Sequence, residues 1–321
     1  MFHQQDVLSV KQCVSSEKSK AASKRARKME LTGWLMGGWP FLGSLLFGLF
    51  PLIISCILPF FELKSFYLPD MKFVGFDNFK YLFTNQYSLF WIALGNSFYY
   101  TLSVPVSLII SLFVAVQLDK HVRGVKVFRV IMFLPTFVSS VAITMMWKFF
   151  FEGNYGVLNS ILGVFGIKPI DWLNTKATYM PSVIFTTTWS ASANCVLFQA
   201  ALANVNQSMK EAAAIDGASS RKIFFKITLP AISPTTFYQL VMSLIGALQV
   251  FTQLQLLSSN GTGPDYAALS MVYYIYSMAF TWTVSNGLGV SSACAVVFTL
   301  LIIALTVVVF KTKEKWVYDM E

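Results

Sequence analysis

Six long apolar runs constrain this chain more than any other feature. They lie near residues 38–61, 90–117, 127–151, 180–203, 231–257 and 284–310. At about 1.5 Å per residue, each is long enough to cross a hydrocarbon core of about 30 Å. A bilayer offers no water to backbone polar groups, so open spans of this kind are helices. Of the residues, 55% are hydrophobic and 12% are charged, about half the charged share of a soluble domain. The expected fold is an all-α membrane protein with six transmembrane helices.

Charge placement orients that layout. With six spans and both ends on one side, the segments sharing that side are 1–30, 118–129, 204–230 and 311–321. They hold 18 of the 24 Lys and Arg residues. The remaining six are Lys64, Lys72, Lys80, Lys148, Lys168 and Lys176, outside the spans or near an outer end. The positive-inside rule then makes both termini cytoplasmic, in a multi-pass protein of the cell (plasma or inner) membrane. The net charge of +9 is thus topological and not a nucleic-acid footprint. Residues 1–30 form a basic tail, with Lys18, Lys20, Lys24, Arg25, Arg27 and Lys28 just before the first span. Residues 31–310 form the six-span membrane body, and 311–321 a short cytoplasmic tail. The first run is too long for a signal-peptide core, so no cleavable leader is expected. Cys13, Cys56, Cys195 and Cys294 are scattered singly, without metal or redox spacing. His3 and His121 suggest no catalytic pair. Segment 62–89 is expected at the interface, 152–179 as turns and short helices, and Met271–Phe280 along the interface.

One polar island interrupts the apolar pattern: residues 208–230, SMKEAAAIDGASSRKIFFKITLP. Ser208 and Glu211 have the spacing of a capping box. Ala212, Ala213 and Ala214 favour helix. Gly217 suits the left-handed turn that ends one. A second helix is expected from Ser219 or Ser220 to about Thr228, with Pro230 opening the next run. These features describe two short helices joined at a glycine, and on local physics an ordinary capped loop fits them equally well.

The order Glu211, Ala212, Ala213, Asp216, Gly217, Ala218, then Ile227, Leu229 and Pro230, resembles the cytoplasmic EAA loop of ATP-binding-cassette (ABC) importer permeases. The likeness extends along the chain. VGFDNF (74–79), FRVIMFLP (128–135), GVLN (156–159) and NGTGP (260–264) resemble the carbohydrate branch, and most of all its maltose and glycerol-phosphate F/A-type members. The chain departs from the commoner Gly-Gly-Pro by reading Asn-Gly-Thr-Gly-Pro. The resemblance implies a compact type I importer permease, six spans with the coupling loop between the fourth and fifth. It implies partners: a second permease, two ABC ATPase subunits and an extracellular solute-binding protein that delivers a sugar. It implies no cofactor, metal or nucleic acid. The phosphate-loop pattern G-x-x-x-x-G-K-[ST] does not occur, so ATP hydrolysis is expected on a separate chain and this subunit is not expected to be an enzyme.

Almost no ionisable side chain lies inside the runs, where one would cost roughly 2.5–3.5 kcal/mol. This favours an external energy source and a neutral, polar solute. By the resemblance, sugar-contacting positions fall on Thr136, Ser140, Thr187, Ser190, Ala191, Ser243, Gly246 and Ala247, with Trp189 and Gln249 beside them as further contacts. For any one hydroxyl or amide, simple bridging between helices is the stronger reading. Coupling to the ATPase is expected from Glu211 as the charged contact and Ala212 and Ala213 for close approach. Asp216 and Gly217 form the joint, and Ile227, Leu229 and Pro230 the tie to the fifth span. A permease for glycerol phosphate or an amino acid is the nearest alternative. A secondary transporter or channel, or a structural anchor, would leave the loop without a use.

Overall fold

The computed structural model describes residues 29–30, 32–63, 71–85, 89–119, 124–190, 192–282 and 286–318. Most of the basic tail, Cys13 and His121 therefore lie outside the described residues. The chain divides into two units, Met1–Leu58 and Pro59–Glu321.

The first unit is dominated by α1, helical over Thr32–Phe60. It contains one wide π turn, Leu45–Leu49, just before Pro51. Proline has no N–H to give to the carbonyl four residues back, and its ring crowds that carbonyl. A π turn makes room for it. Ser44 and Ser55 hydroxyls donate to the Pro40 and Pro51 carbonyls at 2.9 and 2.8 Å, so neither is left bare in an apolar setting.

The second unit opens with a small antiparallel hairpin, β1 (Phe61–Glu62) and β2 (Lys72–Phe73), followed by α2 (Asp77–Thr84). This two-residue ladder sits in an otherwise helical unit. A chain leaving a span must still pair its backbone, and this segment does so by a strand ladder. Next come α3 (Phe90–Tyr100) and α4 (Ser103–Asp119), which together form one span-length stretch, Phe90–Asp119. Then follow α5 (Val125–Phe133), α6 (Ser140–Phe150), the short α7 (Val157–Val164), α8 (Lys176–Ser190) and α9 (Ser192–Ala203). Beyond the island lie α12 (Ser233–Leu248), α13 (Thr252–Leu257), α14 (Met271–Tyr276) and α15 (Gly287–Thr312). The island itself supplies α10 (Gln207–Ile215) and α11 (Ser220–Ala231).

Among the described residues, three helices are long and apolar enough to cross a membrane: Thr32–Phe60, Phe90–Asp119 and Gly287–Lys315. Two more apolar stretches are bent pairs. Val127–Phe137 and Ser140–Phe150 meet at 102°, and Ser220–Ala231 meets Ser233–Leu248 at 65°. With each bent pair as one span the count is five. The run expected at 180–203 is shared by α8 and α9. The run at 231–257 is interrupted between α12 and α13.

Two apolar clusters hold the second unit together. One joins Tyr100, Leu108, Trp147, Tyr179, Phe198 and Leu254 from α3, α4, α6, α8, α9 and α13. The other joins Leu82, Phe90, Leu248, Met271, Tyr274 and Phe298 from α2, α3, α12, α14 and α15. Within residues 271–280, Tyr276 and Phe280 stay exposed while other residues join this second cluster. Tyr273 and Tyr274 are buried, because α14 lies between α3 and α15.

Candidate functional site

The polar island folds as two helices about a left-handed glycine. Gly217 has φ +78°. The Ala218 N–H donates to Ala213 O at 2.9 Å and the Gly217 N–H to Ala214 O at 3.1 Å. This pair of bonds is the Schellman closure, which satisfies carbonyls that a helix end leaves open. The start of α10 corrects the capping-box expectation. Asn206, not Ser208, is the cap: its side chain accepts from the Ser208 N–H at 2.9 Å and the Ser208 hydroxyl at 2.7 Å. Glu211 accepts instead from the Gln207 side chain at 3.2 Å. An asparagine two residues earlier captures an orphan donor at the helix start and leaves the Glu211 carboxylate exposed. Ser219 caps α11 as expected, accepting from the Lys222 N–H at 3.4 Å. A π turn at Phe224–Thr228 precedes Pro230, the device already seen at Pro51.

Glu211, Ala212, Asp216 and Gly217 are exposed, and Ala213, Ile227, Leu229 and Pro230 are half-buried. The structure therefore gathers the residues expected to couple on one short module, α10 and α11. It also shows three residues that the sequence reasoning missed. Ile215 is 86% exposed, Phe225 64% and Met209 55%. They are apolar residues inside a polar, charged island, and that mismatch was the available signal.

The candidates for solute contact are less gathered. Thr136 and Ser140 are exposed on either side of the 102° break, in the stretch where Pro135 ends the first half-helix. Thr187 is buried, and its hydroxyl donates to Ile184 O at 2.7 Å; Thr186 and Thr188 do the same to Val183 O and Phe185 O. Trp189 is half-exposed and lines a cavity of about 160 Å³ with Ile110, Val114, Met132, Pro135 and Cys195. This lining is mainly apolar. The Ser190 side chain and Ala191 lie outside what is described. Ser243 faces the amide of Asn194, which also reaches the Ser107 hydroxyl, both at 3.5 Å. Asn194 of α9 thus bridges Ser107 of α4 and Ser243 of α12. Gly246 and Gln249 are exposed at the end of α12, and Ala247 is buried.

Beyond that end, the break at Gln249–Phe251 frees α13, which side chains from three helices then fix. The Tyr100 hydroxyl donates to Gln253 Oε1 at 2.6 Å and the Tyr179 hydroxyl to Leu254 O at 2.5 Å. The Lys148 ammonium donates to Leu256 O at 3.1 Å and Ser258 O at 3.3 Å. A cation at a helix C-terminus meets the negative end of its dipole. Among the described residues no group of three His, Cys, Asp or Glu is placed to hold a metal ion.

Residues 103–312 match the model of the family described as "Binding-protein-dependent transport system inner membrane component". The chain belongs to this family. Its curated relatives span nearly the same length. A probable ABC transporter permease protein of Bacillus subtilis (strain 168), YesP, is 34% identical over 299 residues, 92% of this chain and 94% of that one. The sn-glycerol-3-phosphate transport system permease protein UgpA of Escherichia coli O6:K15:H31 is 37% identical over 249 residues, 76% of this chain and 81% of that one. A chain in the crystal structure of a bacterial alginate ABC transporter, in complex with an alginate pentasaccharide-bound periplasmic protein, superposes with a TM-score of 0.77 at 22% identity. The match covers 90% of this chain and 96% of that one. The helical architecture is therefore the type I ABC importer permease fold. The family makes the chain a transport subunit and not an enzyme.

Within this family fold, the flanking motif residues are braces. Asn78, of the VGFDNF motif, is buried. It donates to Pro59 O at 2.7 Å and Phe61 O at 2.9 Å, and accepts from Asn286 Nδ2 at 2.6 Å. Asn286 Oδ1 in turn accepts from the Leu63 N–H at 2.8 Å. This knot ties the hairpin and α2 to the start of α15. Asn159, of GVLN, donates to Gly153 O and Ile170 O, both at 2.9 Å, and accepts from the Ile170 N–H and the Trp172 indole.

Proposed function

We propose that this chain is one of two permeases in an ATP-driven, binding-protein-dependent importer of a sugar or oligosaccharide, working by alternating access. Six spans, with α8 and α9 as the fourth, both termini inside and residues 208–230 in the cytoplasm, complete the layout. The basic segments that the positive-inside rule gathers on one side support it. Its partners are a second permease, two ABC ATPase subunits and an extracellular solute-binding protein. Family membership and the YesP and UgpA relatives support this set, as does the periplasmic protein bound to the alginate transporter.

One observation carries the reading. The glycine-jointed module of α10 and α11 offers Met209, Ile215 and Phe225 to its surroundings beside the carboxylates of Glu211 and Asp216. Exposed apolar side chains set among charged ones suit a protein contact, and the ATPase is the proposed occupant. Alternating access follows: closure of the ATPase dimer shifts the module, and α12 relays the shift to the break at Gln249–Phe251. Solute would pass along Thr136, Ser140, Thr187, Trp189, Ser190, Ser243, Gly246 and Gln249. Exposed polar groups on membrane helices need a protein or water neighbour, so Thr136, Ser140 and Gln249 support a path shared with the second permease.

The test is reconstitution with the neighbouring gene products in proteoliposomes. Sugar-loaded binding protein should stimulate ATP hydrolysis and uptake together. Solute movement by this chain alone would instead reveal a secondary transporter. The UgpA likeness supports glycerol phosphate as the second solute to assay, and stimulation by it but by no sugar would overturn the carbohydrate assignment.

A further inference from the structure

Helix α11 meets α12 at a 65° bend centred on Ile232. A bend held only by its own backbone is compliant and would absorb part of any push from α11. This one is clasped from outside. Ser233, the first residue past it, is 5% exposed, and its hydroxyl accepts from the Tyr318 N–H at 2.8 Å. One turn further along, the ring of Phe237 is held edge-on by two others. Phe310 lies at 5.2 Å and 87°, and Trp316 at 5.8 Å and 63°. Phe310 is in the last turn of α15. Trp316 and Tyr318 reach α12 because a tight turn at Lys313–Lys315 closes α15, with the Trp316 and Val317 N–H groups both donating to Lys313 O. The C-terminal segment thus returns to the first turn of α12.

We infer that residues 313–318 form a clamp that stiffens the bend at Ile232, with Trp316 as its positioning residue. The inner ends of α12 and α15 then travel as one body with α11. This rests on the coupling role proposed for α10 and α11. Edge-to-face rings resist sliding better than aliphatic contacts, since their attraction depends on orientation. The Tyr318–Ser233 bond fixes the remaining degree of freedom. Motion entering at Gly217 therefore reaches two membrane helices, and not α12 alone.

The experiment uses the full assembly in proteoliposomes with substrate-loaded binding protein, reading ATP hydrolysis and uptake separately. Trp316→Ala should lower uptake by roughly tenfold, within the range of typical coupling energies, while stimulated hydrolysis continues. Trp316→Phe should restore uptake, because a ring still meets Phe237. A second measurement does not depend on how well Trp316→Ala assembles. The Tyr318 N to Ser233 Oγ distance of 2.8 Å brings the two residues close enough to test by paired cysteines. Ser233→Cys with Tyr318→Cys, in a background lacking Cys13 and Cys56, should therefore crosslink on oxidation and still transport at the wild-type rate. Wild-type uptake by Trp316→Ala, or loss of uptake on crosslinking, would overturn the clamp. Gly217→Pro serves as the control. Lost uptake there alongside a failed clamp leaves the coupling loop standing, whereas full uptake in Gly217→Pro brings down the coupling reading and the clamp with it.

Discussion

At the scale of single residues, the decisive positions are those where only one side chain satisfies the geometry. Gly217 holds φ +78° with open space where a Cβ would stand. An alanine there meets no clash, but pays the left-handed penalty of about 1–2 kcal/mol. Proline cannot reach that φ at all. Gly217→Pro and Glu211→Lys should therefore reduce uptake by roughly 5–150-fold, the range of typical coupling energies, with normal membrane insertion. Radiolabelled uptake alongside a membrane-fraction blot checks this. Gly289 is constrained for the opposite reason. A Cβ there would lie 2.6 Å from Asn286 Oδ1 and Phe61 O and 2.9 Å from Asn78 Nδ2. Gly289→Ala should open the amide knot, and Asn78→Ala should strand two carbonyls, each costing about 1–3 kcal/mol. Thermal unfolding in detergent should show both variants below wild type.

At the scale of elements, the breaks matter more than the helices. Wide π turns before Pro51 and Pro230 absorb prolines that would otherwise split a helix. The breaks before α6 and α13 produce half-helices that touch each other, and Lys148 joins them through the carbonyls that end α13. A partly buried cation at a helix C-terminus contributes up to about 2 kcal/mol. Lys148→Met should lower the melting temperature and increase proteolysis near residues 258–262. Lys148→Arg, which keeps charge and donors, should fall between Met and wild type. Equal stability of all three would remove Lys148 from this role.

At the scale of the whole molecule, the exposed apolar residues and the exposed polar ones call for different surroundings. Tryptophans, phenylalanines and leucines of α1, α4 and α15 face outward, as lipid requires. Thr136, Ser140 and Gln249 face outward too, and lipid does not suit them. The chain is expected to purify with a second permease, and Ser140→Cys or Gln249→Cys should crosslink to that partner. Labelling of introduced cysteines should find residues 1–30, 208–230 and 311–321 reactive from the cytoplasmic side only. Reaction of 208–230 from outside would invert the proposed topology.

Sequence by itself determined the class, the apolar runs and the glycine-jointed island, because these rest on local rules: hydropathy over about 20 residues, the φ that glycine tolerates, the caps that serine supplies. It also determined the family, through motif residues whose order needs no coordinates. Tertiary structure decided what those motifs do. Nothing local marks Asn78 as the partner of Asn286, 208 residues away, or places Trp316 against Phe237. Sequence also could not tell that Thr187 spends its proton on its own helix while Lys148 serves another. Hydrogen bonds and ring contacts between distant segments are chosen by which helices meet. That choice is made by packing, which period and propensity do not encode.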